Sequence, residues 1–450
     1  MAAKGARETW SAAGEPPPAT LIPRDEISDF HLRDEARLVG GLIERAVYTA
    51  DERQRIAVLA QRLVDGARAG RGKHGGLDAF MHEYGLTSEE GVTLLCLAEA
   101  LLRIPDADTA DALIDERVGS GDWERHLGHS DSLLVNASTF GLMLTGRIVR
   151  LGRAPGSGPG AVLKRLVARS GELVIRQAMR QAVRILGDQF VLGRNIENAI
   201  SNAWEYEKQG YVASYDMLGE AARTEKDAAR YHARYASAIE AVGKSAGAAE
   251  SENIETLMRR PSISIKLSAL HPRFEPGKEA RLEVELLPAL LELARLARAR
   301  GLGITIDAEE QDRLDPSLMI FERLLHAPEL AGWPGLGMVV QAYGKRAIPV
   351  LRWLKRLGET TRRTIPVRLV KGAYWDSEIK LAQERGLPGY PVFTAKTHTD
   401  VSYLACMRFL LSETRTFYPQ FATHNAHTMA TCPSRCSACT AWARPSTRRS

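Results

Sequence analysis

From Gly210 onward, short apolar runs alternate with longer stretches in which apolar positions recur every three or four residues. The short runs at 211–217, 262–267, 303–308, 337–342, 366–371, 390–394 and 420–424 predict seven β-strands. Between them, 225–242, 278–300 and 345–357 carry helical periodicity, so the region reads as repeated βα units of a parallel sheet. A doubly wound sheet satisfies the same alternation. Polar and charged residues at or just beyond the C-terminal ends of the strand runs favour a barrel, because barrel enzymes hold their chemistry there.

Upstream of that region the pattern is helical. Thr49 and Glu52 have capping-box spacing before Ile56, Leu59, Ala60 and Leu63, and Thr87 with Glu90 repeats the signal before a helix that must stop near Pro105. Residues 31–150 therefore predict an all-helical arm, and 151–209 a helical linker that begins in the Gly- and Pro-rich stretch 152–160. The glycines at 156, 158 and 160 do not make a dinucleotide loop, since no strand precedes them and their spacing is wrong. Residues 1–30, rich in Pro, Gly and Ala, predict a loose tail.

Side-chain parity then picks out chemistry. In SISIKL, Ile263, Ile265 and Leu267 share one face, while Ser264 and Lys266 share the other. The same parity turns Thr305 and Asp307 away from Ile304 and Ile306, and Arg368 and Val370 away from Val367 and Leu369. A lysine, an aspartate and an arginine thus point inward from separate strands, which is costly unless they are paired or used. An internal salt-bridge network and a ligand site both meet that condition. Gln341, the run Gly372, Ala373, Tyr374 and Trp375, and the segment Thr423, His424 and Asn425 lie around them. Such a set suits a flat, polar-edged heterocycle bearing phosphates.

Composition narrows the classes. The chain is 44% hydrophobic, 26% charged and 6% aromatic, as globular domains are. Its net charge of +5 comes from 60 basic and 55 acidic residues with no basic block, which gives no support to nucleic-acid binding. No run approaches the roughly 20 apolar residues of a spanning helix, and the first residues lack a signal-peptide pattern, so a cytoplasmic location is expected. Five cysteines, three of them at 432, 436 and 439, do not form a disulfide framework. His424 with His427, and His126 with His129, lack a carboxylate or thiol that would complete a metal site, so no metal is expected.

The stretches SYDMLGEAART, SISIKLSALHPRFE, ITIDAEE, VVQAYGKRA, VRLVKGAYWDSEIK, VFTAKTHTDVSYLACM and FATHNAHT resemble the proline dehydrogenase region of proline utilization A, over about Val47 to Thr431. The resemblance implies an α/β fold, a (β/α)8 TIM-like barrel at 210–431 preceded by the helical arm. It also implies FAD bound without a Rossmann fingerprint, oxidation of L-proline to Δ1-pyrroline-5-carboxylate on the way to glutamate, and a quinone acceptor at the membrane surface. A peripheral position at the inner face of the membrane and self-association through the arm are compatible with it. By the same likeness Arg368 sits near flavin N5, Lys266 meets the substrate carboxylate, and Asp307 and Ala308 border the flavin. Gln341, Val370, Lys371, Gly372, Trp375, Thr394, Ala395, Lys396, Thr423, His424 and Asn425 line the cofactor, and Ala373 and Tyr374 lie against both cofactor and proline ring.

After Thr431 the pattern breaks. Residues 432–450 carry neither period and are enriched in Cys, Arg, Ser and Pro, as translation in another frame would be. The expected barrel therefore lacks its eighth strand and the final helix, which in this family brings two arginines and a tyrosine to the substrate. The aldehyde dehydrogenase half and a ribbon-helix-helix module are not recognised. The competing reading is a non-catalytic fragment whose helical arm mediates association.

Overall fold

The computed structural model describes residues 22–70, 191–247 and 252–432. Six parallel strands form one sheet in sequential order: β1 (Ser214–Asp216), β2 (Ser262–Ile265), β3 (Gly303–Ile306), β4 (Leu336–Gln341), β5 (Ile365–Val370) and β6 (Phe417–Phe421). Parallel neighbours need crossovers, and helices supply them. In chain order the principal helices are α1 (Glu35–Arg45), α2 (Ala50–Gly70), α3 (Ile196–Glu207), α4 (Glu225–Ala246), α5 (Glu279–Ala299), α6 (Leu314–His326), α7 (Ala347–Thr361), α8 (Trp375–Glu384), α9 (Lys396–Ser412) and α10 (Ala426–Thr431).

The helices start where their sequences stop them fraying. Thr224 caps α4 by accepting from Asp227 N at 3.1 Å, while the Asp227 carboxylate accepts from Thr224 N at 3.2 Å. From there Ala228, Tyr235, Ala238, Ile239 and Val242 form one buried stripe. On α5 the stripe is Leu282, Leu286, Leu290, Leu293 and Ala297. Together with α7 and α9 over β4 and β5, these stripes cover the outer face of the sheet, where Ile263, Ile265, Ile304, Ile306, Val367 and Leu369 are all buried. Each such side chain contributes about 1.5–3 kcal/mol of burial.

Arg368 shows that the sheet is curled. In a flat sheet β5 and β1 lie four strand spacings apart, about 19 Å. Arg368 on β5 nevertheless donates to Ser214 Oγ on β1 at 2.7 Å and to Ser264 Oγ on β2 at 3.2 Å. No side chain reaches across a flat sheet that far, so the six strands form a half-barrel and the guanidinium spans its hollow. Among the described residues β1 and β6 are edges and do not pair with each other.

The strand expected at 390–394 is not one. Its only ladder contact is an isolated antiparallel bridge between Val392 and Gly344, supported by Phe393 N donating to Tyr343 O at 2.8 Å and Lys345 N to Pro391 O at 3.0 Å. Pro391 has no N–H to donate, and β6 already occupies the place beside β5. The apolar run instead buries Val392 and Phe393 against the end of β4 as a loop. The last strand also lies earlier than expected, at Phe417–Phe421 rather than 420–424, which leaves Thr423 to Asn425 beyond its end. Among the described residues the sheet therefore has six strands, not seven.

One compact unit comprises residues 1–60 and 206–450, and a second 61–205. In the first unit, residues 22–30, expected to belong to the tail, pack against the barrel helices. Ile27 is buried, Trp353 Nε1 donates to Ile22 O at 3.2 Å, and Glu26 pairs with Arg352 at 2.6 Å. The Thr49–Glu52 capping box is formed, at 2.8 and 3.2 Å. In the second unit Asn195 caps the start of α3 by accepting from Asn198 N at 2.8 Å. Thr87 with Glu90, the glycine-rich stretch, His126 with His129 and residues 433–450 lie outside the described residues.

Candidate active site

The C-terminal ends of β1, β2, β3 and β5 bring charges together. Tyr235, buried on α4, accepts a hydrogen bond from Lys266 N at 3.2 Å, which fixes the point where β2 ends and Lys266 turns inward. Lys266 Nζ is hydrogen-bonded to the Asp307 carboxylate and lies 3.5 Å from Glu220 Oε2. Tyr374 donates to the same Glu220 oxygen at 3.1 Å. Both members of the central pair are mostly buried, at 15% and 19% exposure.

The electrostatics follow from that packing. Burial disfavours the Lys266 ammonium, but Asp307 outweighs it and holds the lysine charged beyond the usual lysine range. Burial raises the Tyr374 hydroxyl, and the Lys266 charge opposes the rise. For Arg368, partial burial lowers the guanidinium pKa, and Asp307 and Asp216 act against that loss. Asp216 is exposed at the end of β1, yet the protein around its carboxyl still takes part of its water away. That loss pushes its carboxyl up, with Asp307 and Glu220 adding to the rise and Lys266 and Arg368 opposing it. Lys266, Asp307 and Arg368 thus share one hollow with two further carboxylates.

The loop after β3 is tied on several sides. Ala308 N donates to its neighbour's Asp307 Oδ1 at 3.0 Å, and Gln341 Nε2 donates to Glu309 O at 2.7 Å. The buried Glu309 carboxylate accepts from Ser268 N at 3.0 Å and pairs with Arg313 at 2.8 Å. Gln341 therefore holds the loop that presents Asp307 and Ala308.

A second group lies beyond β5. Asp400 pairs with Lys371, and with Lys396 at 3.0 Å. Thr394 is held by Glu35 from α1, and Ala395 precedes the first residue of α9. Trp375 Nε1 donates to Phe393 O at 2.9 Å, while Gly372 and Ala373 are exposed. Gly372 has φ +137°, and a Cβ there would lie 2.5 Å from the Tyr343 ring, so only glycine fits. Val370 is half-buried on the inner face.

The third group, after β6, is an exposed edge. Asn425 Oδ1 accepts from Thr428 N at 3.0 Å and so caps α10, Asn425 N donates to Thr423 Oγ1 at 3.1 Å, and His424 is exposed. The three groups lie at or beyond the strand ends, where Lys266, Arg368, Lys371 and Lys396 bring cations suited to an anionic ligand. Among the described residues no cluster of three or more His, Cys, Asp or Glu is placed to hold a metal.

Sequence reasoning did not single out Asp216, Ser214, Glu220 or Glu35. Parity in the SYD run was a usable signal for Ser214 and Asp216, which share one face. Glu220 follows the strand in a turn built on Gly219 at φ +129° and Ala221 at φ +55°, where no period applies. Glu35 is 359 residues away from its partner Thr394, and no local pattern announces such a pairing.

Parallel strands in sequential order, with helices on one face and charged groups gathered at the strands' carboxyl ends, define the α/β-barrel class. Within that class the chain belongs to the proline dehydrogenase family, whose model matches residues 199–440, more than half of the chain. A model described as the proline utilization A proline dehydrogenase N-terminal domain matches 23–68, and one described as the DNA-binding domain of proline dehydrogenase matches 76–190. The latter covers a stretch read from sequence as arm and linker with no nucleic-acid role.

The chain is 47% identical to the bifunctional protein PutA of Escherichia coli over 412 residues, which is 91% of this chain and 31% of that protein. It is 28% identical to proline dehydrogenase 1 of Bacillus subtilis over 200 residues, covering 44% of this chain and 56% of that one. A crystal structure of a Bradyrhizobium japonicum proline utilization A mutant superposes with a TM-score of 0.65 at 43% identity, covering 94% of this chain and 40% of the other. The chain spans about a third of the length of the PutA relatives it matches.

Proposed function

We propose that this chain oxidises L-proline to Δ1-pyrroline-5-carboxylate with FAD held at the strand ends of the half-barrel, and that a quinone at the membrane surface takes the electrons. The observation that carries this reading is the convergence of Lys266, Asp307 and Arg368, from three separate strands, on one hollow. Membership of the proline dehydrogenase family supports it.

FAD, when bound, supplies the acceptor for the hydride that leaves the carbon next to the proline nitrogen. Arg368 then carries a fixed positive charge on the side where negative charge accumulates. Lys266, kept protonated by Asp307, meets the substrate carboxylate and orients the ring. Ala373 and Tyr374 close over the ring, with Tyr374 braced by Glu220. Asp307, Ala308, Gln341, Val370 and Trp375 border the cofactor. Gly372 admits it close to the backbone, and Lys371, Thr394, Ala395, Lys396, Thr423, His424 and Asn425 face its polar and anionic parts. The donor set fits such a group, because Lys266, Arg368, Lys371 and Lys396 bring cations to the rim and Gly372 leaves room at the backbone.

Among the described residues no helix is long and apolar enough to cross a membrane. With the quinone as acceptor, the proposal places the chain in the cytoplasm, peripheral at the inner face of the membrane. Exposed Ile43, Val47 and Val58 support self-association through the arm. The test is spectroscopic. Chain purified with FAD should be yellow and should bleach when L-proline is added without another acceptor. Colourless protein that takes up no FAD, or a flavin spectrum indifferent to proline, refutes the reading and leaves the arm-mediated fragment as the alternative.

A further inference from the structure

Glu35 opens α1, yet its carboxylate serves a distant segment. Its oxygens accept from Thr394 N at 3.0 and 3.2 Å and from Thr394 Oγ1 at 3.2 Å, and one of them lies 2.6 Å from His398 Nδ1. The side chain is only 16% exposed, and Lys345 Nζ approaches to 4.0 Å while donating to Arg33 O at 2.9 Å. Meanwhile α9, with Ala395 as its N-cap residue, has no side-chain cap of its own. An anion just ahead of a helix N-terminus opposes the positive end of the helix dipole and satisfies donors that would otherwise be loose. Glu35 thus ties down the segment just ahead of α9 and the His398 ring from another part of the chain, while the helix's own first N–H groups at His398 and Thr399 go to Ala395 O.

We propose that Glu35 is a positioning residue for the cofactor rim. It pins residues 394–398 before any ligand arrives, so that Thr394, Ala395 and Lys396 are presented in one arrangement and binding need not order them. This inference rests on the flavin reading, since those three residues matter here only as part of the rim. A carboxylate with this many donors is worth more than one ordinary hydrogen bond, and a rim left to order itself gives that difference up on binding. Glu35→Ala is expected to bind FAD roughly tenfold more weakly, and Glu35→Gln, which keeps an acceptor oxygen without the charge, roughly threefold.

The experiment titrates FAD into the flavin-free full chain by fluorescence quenching, and follows amide exchange over residues 393–399 in each protein. The expected result is weaker FAD binding with faster exchange confined to that segment. Wild-type chain that takes up no FAD overturns the flavin reading and with it this inference. Wild type that binds FAD, beside a Glu35→Ala protein that binds equally tightly, overturns this inference alone. Should Glu35→Ala fail to fold by circular dichroism, the Gln variant decides, and an affinity equal to wild type rejects the role.

Discussion

Replacing Asp307 by leucine removes the partner that keeps Lys266 charged. The ammonium is 15% exposed, so water cannot rehydrate it in place. Glu220, 3.5 Å away, compensates in part. Taking one member from a buried pair costs about 3–5 kcal/mol. With Glu220 near and the site not fully closed, about 2–3 kcal/mol is the expected loss for Asp307→Leu. Lys266→Met on that background removes the stranded charge and should restore much of the loss. Denaturant unfolding of both single variants and the double variant measures the coupling, expected at about 1–2 kcal/mol. The pH dependence has a definite sign. A cation whose folded pKa is raised contributes fully below the ordinary lysine value of 10.5 and loses its contribution only as pH rises through the folded value. The coupling should therefore be level across neutral pH and decline only in strong alkali. Strictly additive single-variant losses, or a coupling that vanishes near neutrality, would refute the reasoning.

Two further perturbations probe the supports of the site. Burial, reinforced by Asp312 and Glu310, pushes the Glu378 carboxyl up to about 7, although it accepts from Gln311 N at 2.6 Å. The folded protein thus holds a proton that the unfolded chain releases near 4.5, so stability should fall as pH rises from there to about 7. Glu378→Gln should flatten melting temperature over that interval, and a slope equal to that of wild type counts against the buried carboxyl. Gly372→Ala places a methyl against the Tyr343 ring at a backbone angle unsuited to alanine. It should cost about 1–3 kcal/mol in denaturant unfolding, and unchanged stability would show that the turn is less constrained than described.

Most of the barrel was legible because period and parity are local properties. The runs SISI, GITI and IPVRLV read as strands since Ile, Val and Leu alternate with inward residues, and the inward positions of Lys266, Asp307 and Arg368 followed from counting. The run at 390–394 misled because Val392 and Phe393 are as apolar as any strand. Their burial is satisfied by the end of β4, and which segment lies beside β5 is a tertiary choice that Phe417–Phe421 wins. The tail boundary was missed for a similar reason, since Ile27 and Glu26 find partners on helices some three hundred residues later. Of the site, strand-borne members were visible by parity. Glu220 and Glu35 were not, because the first depends on a turn with positive φ and the second on docking between remote parts of the chain.

The guanidinium that bridges the hollow has two loyalties. Arg368 ties β5 to the hydroxyl of Ser214 on an edge strand only three residues long, and to Ser264 on the next strand. Any anion that recruits the arginine competes with that hydroxyl, so a ligand there draws on one of the bonds that also fasten β1, beside its ladder to β2 and the Ser262 hydroxyl.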